Sequence, residues 1–515
     1  MTLNHPILPQ PDAPTLGAAL RRVAASAPER PALIFKNQVT TFADLDRQIR
    51  ACVTRFTAWG VRPGDRVAGL AFGYPLQLAA LIALSEMGAI WVPLNFRLAP
   101  AEWQQVLHDC SPCCLLADDD HLEPARQLAQ TQAIPLHPLN DLLHNDQTLV
   151  LEPDAPASDP HTPVLMVYTS GTTGKPKGAV HTVANLMANA RAAIEAQRIT
   201  PSDRVLTLLP LFHVGGLCIQ TLPALLAGAT VVLHPRFDAN AFWRDLVQEH
   251  ITLTLMVPAV MKAIIEHPAF QTTTLTHLRA IWAGSSVLPD ALLQAWHDKG
   301  IPVCNVYGAT ETGPFSIALG PEHARSHMGS CGWPALGVEA RLDQASPDGV
   351  GEVCLRGAAI VQRYWPDQPA LDEHGWFHTG DLARIETDQS WRIVGRAKDM
   401  IISGGENIYP AEIEHILARH PAVQECAVVG LPDARWGEQV AAVVVFKSGM
   451  QADEADLLEK VKTELARYKH PRRLIIQTEL PKTALGKVQK DVLIRQITAR
   501  ADTAAAPSAN SPRSL

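Results

Sequence analysis

The chain has 515 residues, 47% apolar and 19% charged, and its 44 Lys and Arg against 52 Asp and Glu give a formal charge of −8. This composition excludes disorder along most of the chain, and a net acidic balance without a long basic run excludes a nucleic-acid binder while leaving room for a local phosphate site. The length suits a large domain accompanied by a small one.

In chain order, Leu16, Leu20 and Val23 fall on one helical face, ALIF (32–35) reads as a strand, and Thr41 caps a helix carrying Leu45 and Ile49. RVAGLAF, LQLAALIALSEMG and AIWVPL read as strand, helix and strand, an alternation that implies a parallel α/β sheet. Residues 205–235 carry no Asp, Glu, Lys or Arg, a run long enough to span a bilayer. Pro210, His213, Gly215, Gly216, Gln220, Pro223 and Gly228 interrupt it, so a buried strand, loop and helix is expected and no transmembrane segment. Pro- and Asp-rich stretches near 152–163 and 345–350 read as exposed loops. Past Gly395–Asp399 the pattern changes to that of a small α+β domain. Pro410 suits the start of a helix with Ile413, Ile416 and Leu417 on one face; strands ECAVVG and AAVVVF follow, then a helix with Leu457, Leu458, Val461 and Leu465, then strand RRLIIQTEL. The expected organisation is an N-terminal α/β domain over 1–395, a hinge at 396–398, an α+β domain over 399–500, and a disordered tail over 501–515, which is small and polar.

Nine cysteines, an odd number in so long a chain, do not form a disulfide scaffold. The opening MTLNHPILPQ lacks a charged segment followed by an apolar one, and a cytoplasmic location is expected. Cys110, Cys113 and Cys114 give C-x-x-C-C without a second ligand pair at zinc spacing, and read as free thiols. No G-x-S-x-G elbow is present, nor a G-x-G-x-x-G fingerprint after a strand.

The strongest chemical signal is YTSGTTGKPKG, Tyr168 to Gly178, after the apolar VLMV. Gly171 and Gly174 permit close backbone approach. The hydroxyls of Thr169, Ser170, Thr172 and Thr173 can donate to phosphate oxygens, and Lys175 and Lys177 supply charge. Successive N–H groups in such a turn form an anion nest. The spacing differs from a Walker loop, which needs G-x-x-x-x-G-K-[ST].

This segment resembles the phosphate loop of the adenylate-forming superfamily, which includes acyl-CoA synthetases, luciferases and peptide-synthetase adenylation domains. PLFHVGG (210–216), VYGATETG (306–313), GWFHTGDL (375–382), GRAKDMIISGGENIYPAEIE (395–414) and PKTALGK (481–487) follow in the family's order, and the resemblance runs from about residue 15 to 495. It implies a site between the two domains that uses ATP, Mg²⁺, CoA and a small-molecule carboxylic acid, and it admits a homodimer. It places Thr310 on phosphate, Tyr307 against adenine beside Gly308, Glu311 on Mg²⁺, and Asp381 and Arg396 on the ribose side. Lys487 matches the catalytic lysine, whose ammonium can stabilise charge on carboxylate and α-phosphate. Lys398 matches the hinge position, because one lysine cannot stay on the phosphate while CoA approaches the same carbonyl.

For the acyl pocket the resemblance indicates His213, Gly215, Gly216, Trp282, Ala283, Gly284, Gly308 and Phe315, with Trp282 or Phe315 shortening it. His213 fits a catalytic or gating residue and a satisfied core histidine equally well. For CoA it indicates Ser403, Gly404, Gly405, Trp436, Tyr468 and Arg472, although Trp436 fits the small core equally well. LFHVGGL carries no acid to pair a substrate amine, which argues against an amino acid. The function implied is ATP-dependent acyl-CoA synthesis from an apolar acid, fatty or aromatic, through an acyl-adenylate. The alternatives are an o-succinylbenzoate-CoA ligase or an adenylating enzyme with another acceptor, and behind them a non-enzymatic nucleotide-binding protein.

Overall fold

A computed structural model describes residues 15–143, 159–170, 176–284, 288–346, 349–403, 406–433, 435–483 and 486–505. The helix Pro75–Met87 explains the architecture of the large domain. Residues Leu76 to Ser85 are all buried, and a helix that is apolar on every side has to be enclosed rather than laid on a surface. It sits between two sheets, with Leu16–Ser26, Phe42–Ala58, Val183–Gln197 and the buried segment 214–226 in the same apolar layer. The predicted cap at Thr41 is present as a reciprocal pair with Asp44.

Among the described residues one flanking sheet has nine strands. Its order is Trp333–Pro334, Ile317–Leu319, Val303–Tyr307, Ala280–Gly284, Leu253–Met256, Arg204–Thr207, Thr230–Leu233, Pro31–Phe35 and Gln38–Thr41. The six from Val303–Tyr307 to Pro31–Phe35 are parallel. The other sheet runs Gln368–Pro369, Arg363–Tyr364, Pro176–Thr182, Pro163–Ser170, Ile90–Pro93, Arg66–Leu70, Cys114–Ala117 and Leu136–Pro138, and its last five strands are parallel. Outer helices cover each sheet: Ala239–Gln248, Pro258–Ile265 and Asp290–Asp298 on the first, Pro100–Cys110 and Leu122–Gln132 on the second. The uncharged run at 205–235 is a strand, a buried helical segment and a second strand. No described helix is long and apolar enough to cross a membrane.

A four-stranded antiparallel sheet follows: Val338–Asp343, Val350–Gly357, Phe377–Ile385 and Trp391–Arg396. After a turn at Ala397–Asp399 the small domain begins its own sheet with Ile401–Ser403. That sheet adds Glu406–Ile408, Gly437–Phe446, Val423–Asp433 and, parallel to Gly437–Phe446, Arg473–Ile476. Helices Pro410–Ala418 and Glu454–Glu464 cover one face. Leu465, expected inside the second helix, is extended at its C-cap, and its side chain still packs on the core. One expectation fails at the C-terminus. The helix Lys490–Ala505 enters the segment read as a tail, because ARADTAA is rich in alanine, the strongest helix former.

Candidate active site

The hairpin of Pro163–Ser170 and Pro176–Thr182 carries the Gly-rich turn at its tip. Gly171, Thr172, Thr173, Gly174 and Lys175 lie outside the described residues, as does the side chain of Ser170. At the base of the turn Thr169 pairs with Lys177 across the hairpin. The Lys177 ammonium lies 5.2 Å from the centre of the Tyr364 ring, and the Tyr364 hydroxyl donates to Glu311 Oε1 at 3.0 Å. Tyr364 reaches this place because the short strand Arg363–Tyr364 pairs with Ala179 beside the hairpin. Burial and the Glu311 charge push its phenol up, so it stays a donor.

Glu311 sits on the single turn Thr310–Thr312 that follows the strand Val303–Tyr307. The approach to that turn is tight: a Cβ at Gly308 would lie 1.9 Å from the Pro314 carbonyl oxygen, so only glycine fits. Thr310 is buried, and His181 lies against its backbone. Tyr307 projects to Asp381, its hydroxyl donating to Oδ2 at 2.9 Å. Asp381 and Arg396 are cross-strand partners, and Arg396 Nε donates to Oδ1 at 2.8 Å. Both oxygens of the buried Asp381 carboxylate are thus oriented by protein donors.

Lys487 comes from the small domain, on a turn closed by Thr483 N–H to the Lys487 carbonyl at 2.7 Å, with Gly486 at φ +83°. The residue is exposed, and charged groups of the large domain act on its ammonium. Burial holds it below the ordinary lysine range, with Arg396 the next cause; Asp381 and Glu311 act the other way. The same ammonium acts on His213. Lys487, Glu311, Asp381, Arg396 and His213 therefore share one electrostatic neighbourhood, built from segments up to 274 residues apart in sequence (487 − 213). Lys398, on the exposed turn between the domains, also acts on Lys487.

His213 caps the short helix Val214–Gly216, its Nδ1 accepting from Gly215 N–H at 3.0 Å. Burial, followed by Lys487 and Arg97, lowers its pKa to about 4, so at neutral pH it is an uncharged ring with its proton on Nε2. Gly216 lies against the 209–210 backbone, where a Cβ would meet the Pro210 oxygen at 2.3 Å. Trp282 and Phe315 are fully buried, their ring centres 5.5 Å apart, in the inner core with Leu211, Val214 and Leu217. Gly284 pairs with Val306 next to them. Ala283 differs from expectation. Side chains alternate along a strand, and its methyl faces the outer core beside Met261 and Ile264, away from Trp282.

Of the CoA candidates, Ser403 is buried in the small-domain sheet, and Gly404 and Gly405 lie outside the described residues. Trp436 does not belong to the small core. Its ring carries the Arg472 guanidinium at 4.4 Å and that of Arg435 at 4.8 Å. Tyr468 is 39% exposed, with Lys469 beside its ring. Sequence reasoning missed Tyr364, Arg97 and His181, none of which falls in a chemical motif it used. The only sequence signal for Tyr364 is an aromatic pair, Tyr364–Trp365, in a polar stretch.

A cleft of opposed charges between a large α/β domain and a small α+β domain is the arrangement of an adenylate-forming enzyme. The chain belongs to that family: the AMP-binding enzyme model matches residues 20–365, and the AMP-binding enzyme C-terminal domain model matches residues 412–487. Indoleacetate–CoA ligase of Aromatoleum aromaticum is 41% identical over 498 residues, covering 93% of this chain and 97% of the relative. Feruloyl-CoA synthase of an Amycolatopsis species is 37% identical, covering 93% and 99%. Among solved structures, o-succinylbenzoate-CoA synthetase from Bacillus subtilis with its acyl-adenylate intermediate matches with a TM-score of 0.84 at 30% identity, covering 92% of this chain and 97% of that one. The same synthetase has been solved with ATP and magnesium ion, at a TM-score of 0.82, 30% identity and coverage of 92% and 98%.

Proposed function

We propose that this protein is an AMP-forming carboxylate–CoA ligase acting on an aryl or arylalkyl monocarboxylic acid. The observation that carries the proposal is that Lys487 of the small domain falls in the electrostatic neighbourhood of Glu311 and the Asp381–Arg396 pair of the large one. The acid's carboxylate attacks the α-phosphate of ATP, pyrophosphate leaves, and an acyl-adenylate results. The CoA thiol then attacks the acyl carbon, and AMP leaves as the thioester forms.

In the first step Lys487 is the cation for the carboxylate and the α-phosphate, where negative charge gathers. Asp381 accepts from the ribose hydroxyls, Arg396 and Tyr307 hold it in place, and Lys177 supplies positive charge for the leaving phosphates. Glu311 is the residue that would hold Mg²⁺, a fit supported by a half-exposed carboxylate fixed by one phenol at Oε1. Bound there, the ion supplies positive charge to phosphate oxygens. For the second step Trp436 and Arg472, with Tyr468 nearby on the small domain, form the CoA side, reached by rotation about residues 396–398 between domains 1–395 and 399–500.

The acyl pocket lies at His213, Gly216, Gly284, Gly308, Trp282 and Phe315. Its histidine is uncharged and its large side chains are aromatic, which favours a flat apolar acid over a dicarboxylate or an amino acid. The indoleacetate and feruloyl ligases among the relatives support this choice. Nine free cysteines support a reducing, cytoplasmic setting. The test is pyrophosphate release with ATP, Mg²⁺ and CoA across indoleacetate, phenylacetate, hydroxycinnamates, benzoate, o-succinylbenzoate and fatty acids of graded length. Release confined to aromatic acids is expected, and release confined to fatty acids would refute the substrate class. Silence with all of them, from protein that binds ATP, would refute the ligase. Sizing the same preparation tests the homodimer.

A further inference from the structure

The four-stranded sheet has two unlike faces. Leu342, Val353, Leu355 and Phe377 point into the core beneath it. Because side chains alternate along a strand, Asp343, Glu352, Cys354 and His378 stand on the opposite face. Asp343 is paired with Glu352 and Cys354 with His378 in neighbouring strands. One donor atom from each lies within 4.8 Å of every other, the only such cluster among the described residues. Cys354 Sγ is 3.4 Å from His378 Nδ1, and the same nitrogen is 3.2 Å from Glu352 Oε2.

These separations suit one metal. Tetrahedral zinc, with bonds of about 2.3 Å to sulfur and about 2.0–2.2 Å to nitrogen and oxygen, sets neighbouring donors roughly 3.4–3.6 Å apart. A second observation points the same way. The far ring nitrogen, His378 Nε2, meets Asp372 Oδ2 at 3.2 Å, and Asp372 is itself fixed by the N–H groups of His374 and Trp376 on Oδ1. A carboxylate on the outer nitrogen is how metal-binding histidines are oriented. Two guanidinium groups stand nearby, over the Trp376 ring at 4.7 and 4.5 Å: Arg356 pairs with Glu339 outside the cluster, and Arg341 makes a long ion pair with Asp343 at 3.9 Å, leaving Glu352, Cys354 and His378 without a cationic partner of that kind among the described residues.

We propose that this face is a zinc(II) site, with Cys354 Sγ, His378 Nδ1 and one oxygen each of Asp343 and Glu352 as ligands and Asp372 orienting the imidazole. The site is separate from Glu311 and does not depend on the reaction assigned above. It has a consequence for that reaction. Glu352 Oε1 accepts from Gly380 N–H at 2.8 Å, where the strand bends at φ +70° just before Asp381, so zinc would brace the bend that presents Asp381.

The test is anaerobic cobalt(II) titration of the full-length protein after chelator treatment and removal of the chelator, followed by displacement with zinc. One equivalent is expected to give a sulfur-to-cobalt charge-transfer band with tetrahedral d–d bands, and zinc should remove both. Cys354→Ser should abolish the charge-transfer band. Asp372→Asn should keep it but weaken binding about 10- to 100-fold. Glu311→Gln should bind cobalt here like the unmodified protein. Absence of a thiolate band, or a band undiminished in Cys354→Ser, overturns the proposal. Should Cys354→Ser fail to fold, Asp343→Asn decides: tenfold weaker binding is expected, and unchanged affinity refutes the site.

Discussion

Replacing Lys487 with alanine separates the two half-reactions. Two of the described cations at the site are committed elsewhere: Arg396 to Asp381 at 2.8 Å, and Lys177 to the Tyr364 ring. Loss of one pre-organised charge-stabilising donor costs about 10²–10³ in rate, roughly 2.7–4 kcal/mol, and a loss in that range is expected here. Acid-dependent exchange of pyrophosphate into ATP measures the first half-reaction. AMP release from supplied acyl-adenylate and CoA measures the second, which is expected to change less than about threefold, a difference of roughly 0.6 kcal/mol. A further signature lies in the pH profile. Burial and Arg396 hold the ammonium below the free-lysine range, so rising pH removes the cation, and adenylation should decline at lower pH than an unperturbed lysine would give. That alkaline limb should be missing in Lys487→Ala. Equal losses in both half-reactions would refute the assignment.

Three other outcomes are expected. Trp436→Ala should slow thioester formation about tenfold while adenylation and the melting temperature hold, because the ring contacts two guanidinium groups outside the core; an unchanged thiolysis rate counts against the CoA assignment. Tyr364→Phe removes the 3.0 Å hydrogen bond to Glu311, a charge-assisted bond worth about 1.5–3 kcal/mol, so the Mg²⁺ concentration for half-maximal adenylation should rise tenfold or more, and an unaltered Mg²⁺ dependence would sink the link. His181 is fully buried and lowered by that burial to about 4. Below pH 6.5 the unfolded chain protonates this group and the folded chain does not, so stability falls towards pH 4 by about 1.4 kcal/mol per pH unit from His181. Urea midpoints at pH 7 and pH 5 should show His181→Phe with the shallower loss; identical losses would exclude this cause.

The sheet strands and the site motifs were legible wherever the information is local. Thr41 at a helix cap, the apolar strand VLMV before the Gly-rich turn, and Pro410 at a helix start are short-range patterns, and each has one low-energy local structure. What the sequence could not supply was pairing over distance. Tyr364 reaches Glu311 across 53 residues only because a two-residue strand docks beside the hairpin. The surroundings of Trp436 were undecidable by spacing, since Arg435 is adjacent but Arg472 arrives through the parallel strand Arg473–Ile476. Ala283 was grouped with Trp282 because they are neighbours in sequence, which on a strand places their side chains on opposite faces. The last helix is hidden in a segment whose alanines are small residues yet strong helix formers.

The passage from the large domain to the small one is short. Strand Trp391–Arg396 ends and Ile401–Ser403 begins with only residues 397–400 between them, five Cα steps that span at most about 17 Å. A tether of that length keeps the lysine-bearing domain at an effective concentration on the order of millimolar over the cleft. Docking therefore needs little affinity of its own. One described ion pair between the two, His415 with Asp290 at 3.1 Å, is a third exposed on each side, the kind of contact worth about 0–1 kcal/mol. The docked pose also buries Tyr409 against Val350, Leu382 and Val394 of the large-domain sheet, so the short tether and one small apolar contact together hold the small domain over the cleft.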